Sequence, residues 1–534
     1  MRVLIFHGYL LGGTGSNVYN ANLAAALSRL GHDVHLLCQE RAPQQFPFVD
    51  AEGDWDDGEL ALRTLREPVR CTVYRPALAG VLPLYVADRY EGIEARTYRE
   101  LSDDEVEAYV AANVRAVREV VERVEPDVAL ANHLVMGPLI LSRALGRVPY
   151  AVKIHGSALE YTVVPQPERF LDAARRGVAG ARGVLVGSRH TAERLWDTLL
   201  EPDLPPRTRL GPPGVDVGRF GPREPLAARA GLRELVETLE RRVEDETVDA
   251  MLAETPSAFT PDDRVAHAAL APLLEHPDDP LVAFVGKLIV SKGIDLLVAA
   301  WPLVLARVPR ARLVVVGFGA YRAGVERLIG ALADGDLDTV DELVDEGRAA
   351  EGGPDGTPLT LLRAFLDGLQ DDGGARDRYL AAACELRERV VLTGRLEHDE
   401  LRDLLPACAA QVVPSTFPEA FGMVAAEAAA CGTLPICADH SGLAEVAGAL
   451  ADAVPEAARE LLAFALDDGD PVQGIADRLV TWLQADEQLR VQTRAALVAT
   501  VRERWSWEGV ARGVIAAAEG RLDELPFPER ISTQ

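Results

Sequence analysis

The chain alternates short apolar runs with longer amphipathic stretches, and that alternation predicts repeated βα units. Residues 2–7 read as a first strand. Asn22 to Gly31 sets Leu23, Ala26, Leu27 and Leu30 at helical spacing, and Val34 to Cys38 reads as the next strand. His7 to Asn17, HGYLLGGTGSN, is a glycine-rich loop between them. Residues 40–60 are acidic and loop-like. Asp103 to Val124 is predicted as a helix capped by Ser102. Asp127 to Ala131, Tyr150 to Ile154 and Val184 to Val186 are predicted strands, and Ser188 caps the helix after the last of them. The pattern resumes with strands at Leu281 to Val285, Arg312 to Gly317 and Val390 to Leu392. Two α/β domains in tandem, each with its own core, fit this order.

The chemistry concentrates between Gln411 and Val446. Gln411 to Pro414 reads as a strand, Ser415 to Pro418 as a polar turn, Val424 to Ala430 as a helix stopped by Cys431-Gly432, and Thr433 to Cys437 as a second strand. The turn opens straight into a helix N-terminus, which leaves backbone N–H groups unpaired and carries partial positive charge. A phosphate is stabilised at such a place. Two carboxylates flank it, Glu419 in the turn and Glu427 about two turns on. Beside a phosphate they suit hydroxyl groups, such as the diol of a ribose or a pyranose. A capping Glu419 and a solvated Glu427 are the plainer reading. Against it, Glu427 lies inside the apolar run AAEAAAC, where an unpaired acid is costly.

EAFGMVAAE resembles the E-x7-E signature of retaining glycosyltransferases of the GT-B fold, family 4 in particular. The resemblance extends over most of the chain. GKLIVSKG resembles the family's G-R-L…K-G segment, with Lys287 where Arg is usual and Lys292 matching. HGS after the strand at Tyr150 aligns His155 with the family's histidine near the donor sugar. Gly15 aligns with a first-loop glycine whose N–H approaches the donor phosphate. GPPGVDVGRF resembles the NGVD segment at the entry to the second domain, with Pro213 in place of Asn. Thr393 to Leu396 resembles the loop beside the nucleotide base, and Trp505-Ser506-Trp507 the segment that returns to the first domain. The resemblance implies two Rossmann-like domains facing across a cleft, an acceptor-side domain at 1–205 joined by 506–534, and a nucleotide-sugar domain at 206–505. It implies catalytic roles for Glu419, His155, Lys292 and Lys287. It implies donor binding by Gly13, Gly15, Gly286, Arg395, Leu396, Phe421, Gly422, Met423, Val424 and Glu427. The stretches 222–279 and 331–378 are acidic and exceed what the family needs. Asp439-His440-Ser441-Gly442 follows the last strand of the central stretch, where Gly442 admits a close ligand.

Composition narrows the partners. A net charge of −28 argues against nucleic acid and anionic membrane surfaces, both of which reward basic patches. No apolar run reaches transmembrane length, and MRVLIFHGYL reads as a strand rather than a signal peptide. The 6 cysteines contain no CxxC, so free thiols in the cytoplasm are expected. Only three lysines occur, Lys153, Lys287 and Lys292, and each lies beside a glycine-bearing segment after a strand, where α/β sheets bind ligands. Asp54-Trp55-Asp56 spells DxD, a metal–nucleotide signal of another glycosyltransferase fold, but its acidic, glycine-rich surroundings favour a solvated loop. Neither metal nor cofactor is expected.

The expected activity is retaining transfer of a hexose from a nucleotide-diphosphate sugar to a small hydroxylated or sugar acceptor. A pyridoxal-phosphate phosphorylase of the same fold needs a lysine beyond the two assigned to phosphate. A nucleotide-sugar epimerase is separated by product analysis without acceptor, and a non-catalytic sugar-binding protein by the absence of donor hydrolysis.

Overall fold

The computed structural model describes residues 1–528 apart from 57, 79, 86–93, 246–261, 354–355 and 467–468. The chain forms two compact units, Met1–Gly214 with Trp505–Gln534, and Val215–Arg504.

The first unit is built on a sheet of nine strands. In chain order its strands are β1 (Arg2–Phe6), β2 (Asp33–Leu37), β3 (Ala51–Asp56), β4 (Glu59–Thr64) and β5 (Cys71–Arg75). After a small pair, β6 (Leu82–Leu84) and β7 (Ala95–Thr97), the sheet continues with β8 (Val128–Asn132), β9 (Tyr150–Lys153), β10 (Gly183–Val186) and β11 (Thr208–Leu210). The order across the sheet is β11-β10-β9-β8-β1-β2-β5-β3-β4, parallel except for the β3–β4 hairpin. β11 pairs with β10, which carries the first unit past residue 205. The strands around β1 are apolar on both faces, as a sheet covered by helices requires. The helix Asp103–Val124 starts on a full capping box between Ser102 and Glu105. The helix Trp507–Glu519 packs on β8, β9 and β10 and against the helix Gly15–Arg29. A Cβ on Gly214 would lie 2.6 Å from the Trp507 ring, so that contact requires glycine.

Two local expectations are corrected. β3 and β4 pair as an antiparallel hairpin, not a solvated loop. Asp54 is held by Arg75 (Nε to Oδ1, 2.6 Å), and the Trp55 indole donates to Glu119 at 2.7 Å. Long-range pairing overrides the weak strand propensity of a Gly/Asp-rich segment. The first helix begins at Gly15, not Asn22. Asn17, Asn20 and Asn22 hide the helix in the sequence, because their side chains donate to carbonyls of Gly12, Ser16 and Val18.

The second unit holds a parallel sheet of six strands. These are β12 (Leu281–Val285), β13 (Arg312–Val316), β14 (Val390–Gly394), β15 (Cys408–Val413), β16 (Leu434–Ala438) and β17 (Ala463–Phe464), in the order β14-β13-β12-β15-β16-β17. Where described, both acidic stretches are mainly helical. The first contributes Pro225–Asp245 and Asp263–Leu270, and the second Leu337–Glu346, Thr360–Asp371 and the start of Gly373–Ala383. No described helix is long and apolar enough to cross a membrane.

Candidate functional site

In the second unit the site grows from the C-terminal ends of adjacent parallel strands, where open α/β sheets bind ligands. β12 ends at Val285, and Gly286, Lys287 and a short turn at Val290–Lys292 lead into the helix Ile294–Leu305. β15 ends at Val413, and Ser415 to Gly422 lead into the helix Met423–Ala430. The two loops are fastened backbone to backbone. The Thr416 N–H donates to Ser291 O at 3.0 Å. Gly293 (φ +66°) sits so close that a Cβ would meet Pro414 O at 2.0 Å.

That approach delivers Lys292 to Glu419, whose carboxylate it contacts through Oε1. The same oxygen accepts from the Ser415 hydroxyl at 2.7 Å. The Glu419 N–H donates to Ser441 Oγ at 2.9 Å, and His440 bridges Ser441 Oγ (3.1 Å) and Ser415 O (2.6 Å). Ser415 O only accepts, so His440 Nε2 carries the proton and Nδ1 accepts from the Ser441 hydroxyl. The whole turn is thus tied to the end of β16. Gly442 belongs to this fastening. Its N–H donates to Glu419 O at 2.9 Å, and a Cβ there would lie 2.7 Å from Phe421 N. The expectation that Gly442 admits a ligand is corrected: it admits the Glu419–Phe421 backbone.

Glu427, 7% exposed, lies inside the helix Met423–Ala430. His398 Nε2 stands 3.6 Å from its Oε1. Burial opposes a charge on His398, but Glu427 outweighs burial and raises its pKa above the ordinary value. Gln411 fixes the start of the same helix by donating to Val424 O at 3.1 Å. Arg395 pairs with Glu397 at 2.8 Å and lies over the Phe318 ring, and Leu396 is buried beside it in sequence. Gly286, Phe421 and Gly422 occupy the two strand-to-helix loops, Met423 and Val424 open the helix after the second, and Lys287 is exposed on the first.

The second acidic stretch reaches this site. Glu351 accepts the Val290 N–H at 2.7 Å, fixing the turn that aims Lys292, and is itself paired with Arg348 at 2.9 Å. Asp295, buried at the start of the following helix, has its pKa pushed up to about 7, chiefly by burial and further by the charge of Glu351.

In the first unit, Gly13 (φ +94°) and Gly15 lie in and after an exposed loop, and the helix that starts at Gly15 has no side-chain cap. Its first N–H groups therefore remain available. His155 is held by a chain of amides. Its Nε2 meets Asn132 Oδ1 at 2.8 Å, Asn132 donates to Asn20 Oδ1 at 2.8 Å, and Asn20 donates to His7 Nδ1 at 3.0 Å. Burial holds His155 and His133 neutral far below the usual imidazole range, and His7 down at about 4. His155 therefore carries its proton on Nε2 and keeps Nδ1 as an acceptor. Lys153 departs from expectation. It is 2% exposed and donates to Gly211 O at 2.6 Å, and burial lowers its pKa to about 7. It serves the fold rather than a ligand.

Sequence reasoning missed the supports: Ser415, Ser441, His440, Gln411, His398, Glu351 and the Asn132–Asn20–His7 chain. The DHSG tetrapeptide after β16 signalled His440 and Ser441. Nothing local signals Glu351, whose partner Val290 is 61 positions away. Among the described residues no group of three or more His, Cys, Asp or Glu side chains converges as a metal site.

The comparisons agree on one family. The profile described as glycosyl transferases group 1 matches residues 370–473, and that of the glycosyl transferase 4-like domain matches 14–203. A relative from Xylanimonas cellulosilytica, D-inositol 3-phosphate glycosyltransferase, is 26% identical over 94% of this chain and 90% of its own. Sucrose-phosphate synthase from Thermosynechococcus elongatus superposes with TM-score 0.56 at 19% identity, covering 98% of this chain and 99% of that one. An Anabaena structure solved with UDP and glucose gives 0.52 at 15% identity, covering 97% and 99%.

Two outcomes check the supports. Glu351→Ala strands the Val290 N–H, which costs about 1–3 kcal/mol in denaturant unfolding, while Glu351→Gln keeps an acceptor and loses less. Equal losses in the two variants would show that the hydrogen bond contributes nothing. His398 has a raised pKa, so its pair with Glu427 stabilises fully below the unfolded imidazole value and fades as pH rises through the folded one. The melting temperature of the native chain should exceed that of His398→Gln most at pH 5 to 6, with the gap narrowing by pH 9. A gap independent of pH refutes the pair.

Proposed function

Because the chain belongs to the group 1 glycosyltransferases of GT-B fold, we propose that it transfers a hexose from a nucleotide-diphosphate sugar to a hydroxyl of a small or sugar acceptor, with retention and without a metal ion. The observation that carries this reading is the Lys292–Glu419 contact, held between two strand-to-helix loops. The cation and the helix start at Met423 suit a diphosphate, while the carboxylate suits sugar hydroxyls. UDP in the Anabaena structure of similar fold supports a nucleotide donor.

The bond from the anomeric carbon to the phosphate oxygen breaks as the bond to the acceptor oxygen forms on the same face. The acceptor proton passes to the departing phosphate oxygen, so no side-chain nucleophile is required. Charge grows on the diphosphate, and stabilising it is the main catalytic term. Lys292 and Lys287 act as point charges there, without the bidentate fork of arginine. Glu427, beside His398, binds the ribose diol. His155, neutral, offers Nδ1 to a hydroxyl of the transferred sugar.

The pairing of Lys292 with Glu419 separates binding from rate. Lys292→Ala should weaken nucleoside diphosphate binding and lower kcat by about 10²-fold or more. Glu419→Gln frees Lys292 from a carboxylate, so diphosphate affinity should hold or rise while kcat falls. Glu427→Gln should raise KM for donor and weaken the free diphosphate alike, since a charge-assisted bond is about twice as strong as a neutral one. Calorimetry with the bare nucleotide and steady-state rates read these out. Unchanged kinetics in Lys292→Ala at saturating donor would refute the phosphate role. Proton NMR of the product should show the donor's anomeric configuration, with turnover intact in EDTA. Inversion, metal rescue, or epimerised donor in the absence of acceptor would each overturn the corresponding part.

A further inference from the structure

The sheet of the second unit has a second concave site at its other end. A cavity of about 320 Å³ lies where β12 and β15 begin, lined by Leu281 and Cys408 among others. That is the size at which small-molecule pockets start, about 300 Å³. The strands are parallel, so the cavity lies one strand length from the loops that carry Lys292 and Glu419, about 16 Å for five residues at 3.3 Å each. Its outer wall is the helix Pro225–Asp245 and the turn Ala271–Glu275, both from the stretch 222–279 that exceeds the family's needs.

The lining has two characters. Leu232, Leu273 and Trp482 are buried and apolar. Against them stand the arginines Arg233, Arg490 and Arg494. Arg490 donates through Nη2 to Leu483 O at 2.6 Å, and Arg494 donates to Arg223 O. A backbone carbonyl satisfies a donor but neutralises no charge. Among the described residues, Arg490 Nε is buried without any partner, and Arg233 is exposed without a bonded one. Of the lining acids, Asp278 is paired with Arg229 at 2.8 Å, and Asp279 with Arg310 and Arg312 at 2.8 Å each. Among the described residues, Glu487 is the one acid lining the cavity without an arginine partner, while Arg233 also borders Glu234, Glu237 and Glu240 on the outer side of its helix. In a chain of net charge −28, an apolar cavity with surplus guanidinium charge is an exception to the surroundings.

We propose that this cavity binds a small organic phosphate, its apolar body against Leu232, Leu273 and Trp482 and its phosphate among Arg233, Arg490 and Arg494. Guanidinium groups match phosphate oxygens in geometry and charge.

Phenyl phosphate is the probe, titrated calorimetrically into the full chain. Saturable binding is expected, with inorganic phosphate and benzyl alcohol each at least tenfold weaker because each lacks one half of the match. Arg233→Glu, at an exposed position, should weaken phenyl phosphate at least tenfold without changing the melting temperature. Arg490→Gln, which keeps most of the stem, should do the same. Lys292→Ala should leave this binding unchanged, which separates the cavity from the donor loops. The proposal is overturned by any of three results: no saturable binding, binding indifferent to Arg233→Glu, or binding lost in Lys292→Ala. Benzoate binding as tightly as phenyl phosphate would overturn the phosphate assignment.

Discussion

The second unit's chemistry depends on how closely the loop after β12 approaches the turn after β15. A side chain at position 293 would occupy the place of Pro414 O, and one at position 442 would occupy that of the Glu419–Phe421 backbone. The two glycines allow three strand ends to close on one another. The hydrogen bonds from Thr416 N–H, Glu419 N–H and Gly442 N–H then fix the turn. The backbone brings Lys292 and Glu419 together, and their side chains hold each other with Ser415. In the proposed function this is the preorganisation that electrostatic catalysis would use.

Charge bears on the proposed function. The chain is strongly acidic, so an anionic donor would need a place where positive charge gathers. In the proposed reading Lys287, Lys292 and the helix start at Met423 would supply it. Glu419 beside Lys292 would temper that charge and accept from a sugar hydroxyl.

Much of this was legible in sequence because it rests on local rules. The strand Leu281–Val285 and the helix Asp103–Val124 with its Ser102 cap emerge with the bounds that periodicity and capping imply. The group 1 glycosyltransferase family and its two Rossmann-like units follow from motif order. What was not legible rests on contacts between distant segments. The β3–β4 hairpin is held by Arg75 and Glu119, and an isolated Gly/Asp-rich segment does not announce it. The helix start at Gly15 was masked by asparagines that normally favour turns. Lys153 looked like a ligand-binding lysine by its neighbours, yet the strand buries it.

The two long stretches both build on the second unit. Both are acidic, and both pack around the same sheet. The second sends Glu351 to the turn that carries Lys292, where a single accepted hydrogen bond satisfies the Val290 N–H. The first walls a cavity at the strands' starting ends and leaves arginine charge uncompensated there. β15 begins in that cavity and ends at the turn bearing Glu419. A rigid, buried strand transmits displacement better than a loop does, because its packed neighbours leave it few alternative positions. The loops that carry Lys292 and Glu419 and the arginine-lined cavity therefore share one six-stranded sheet.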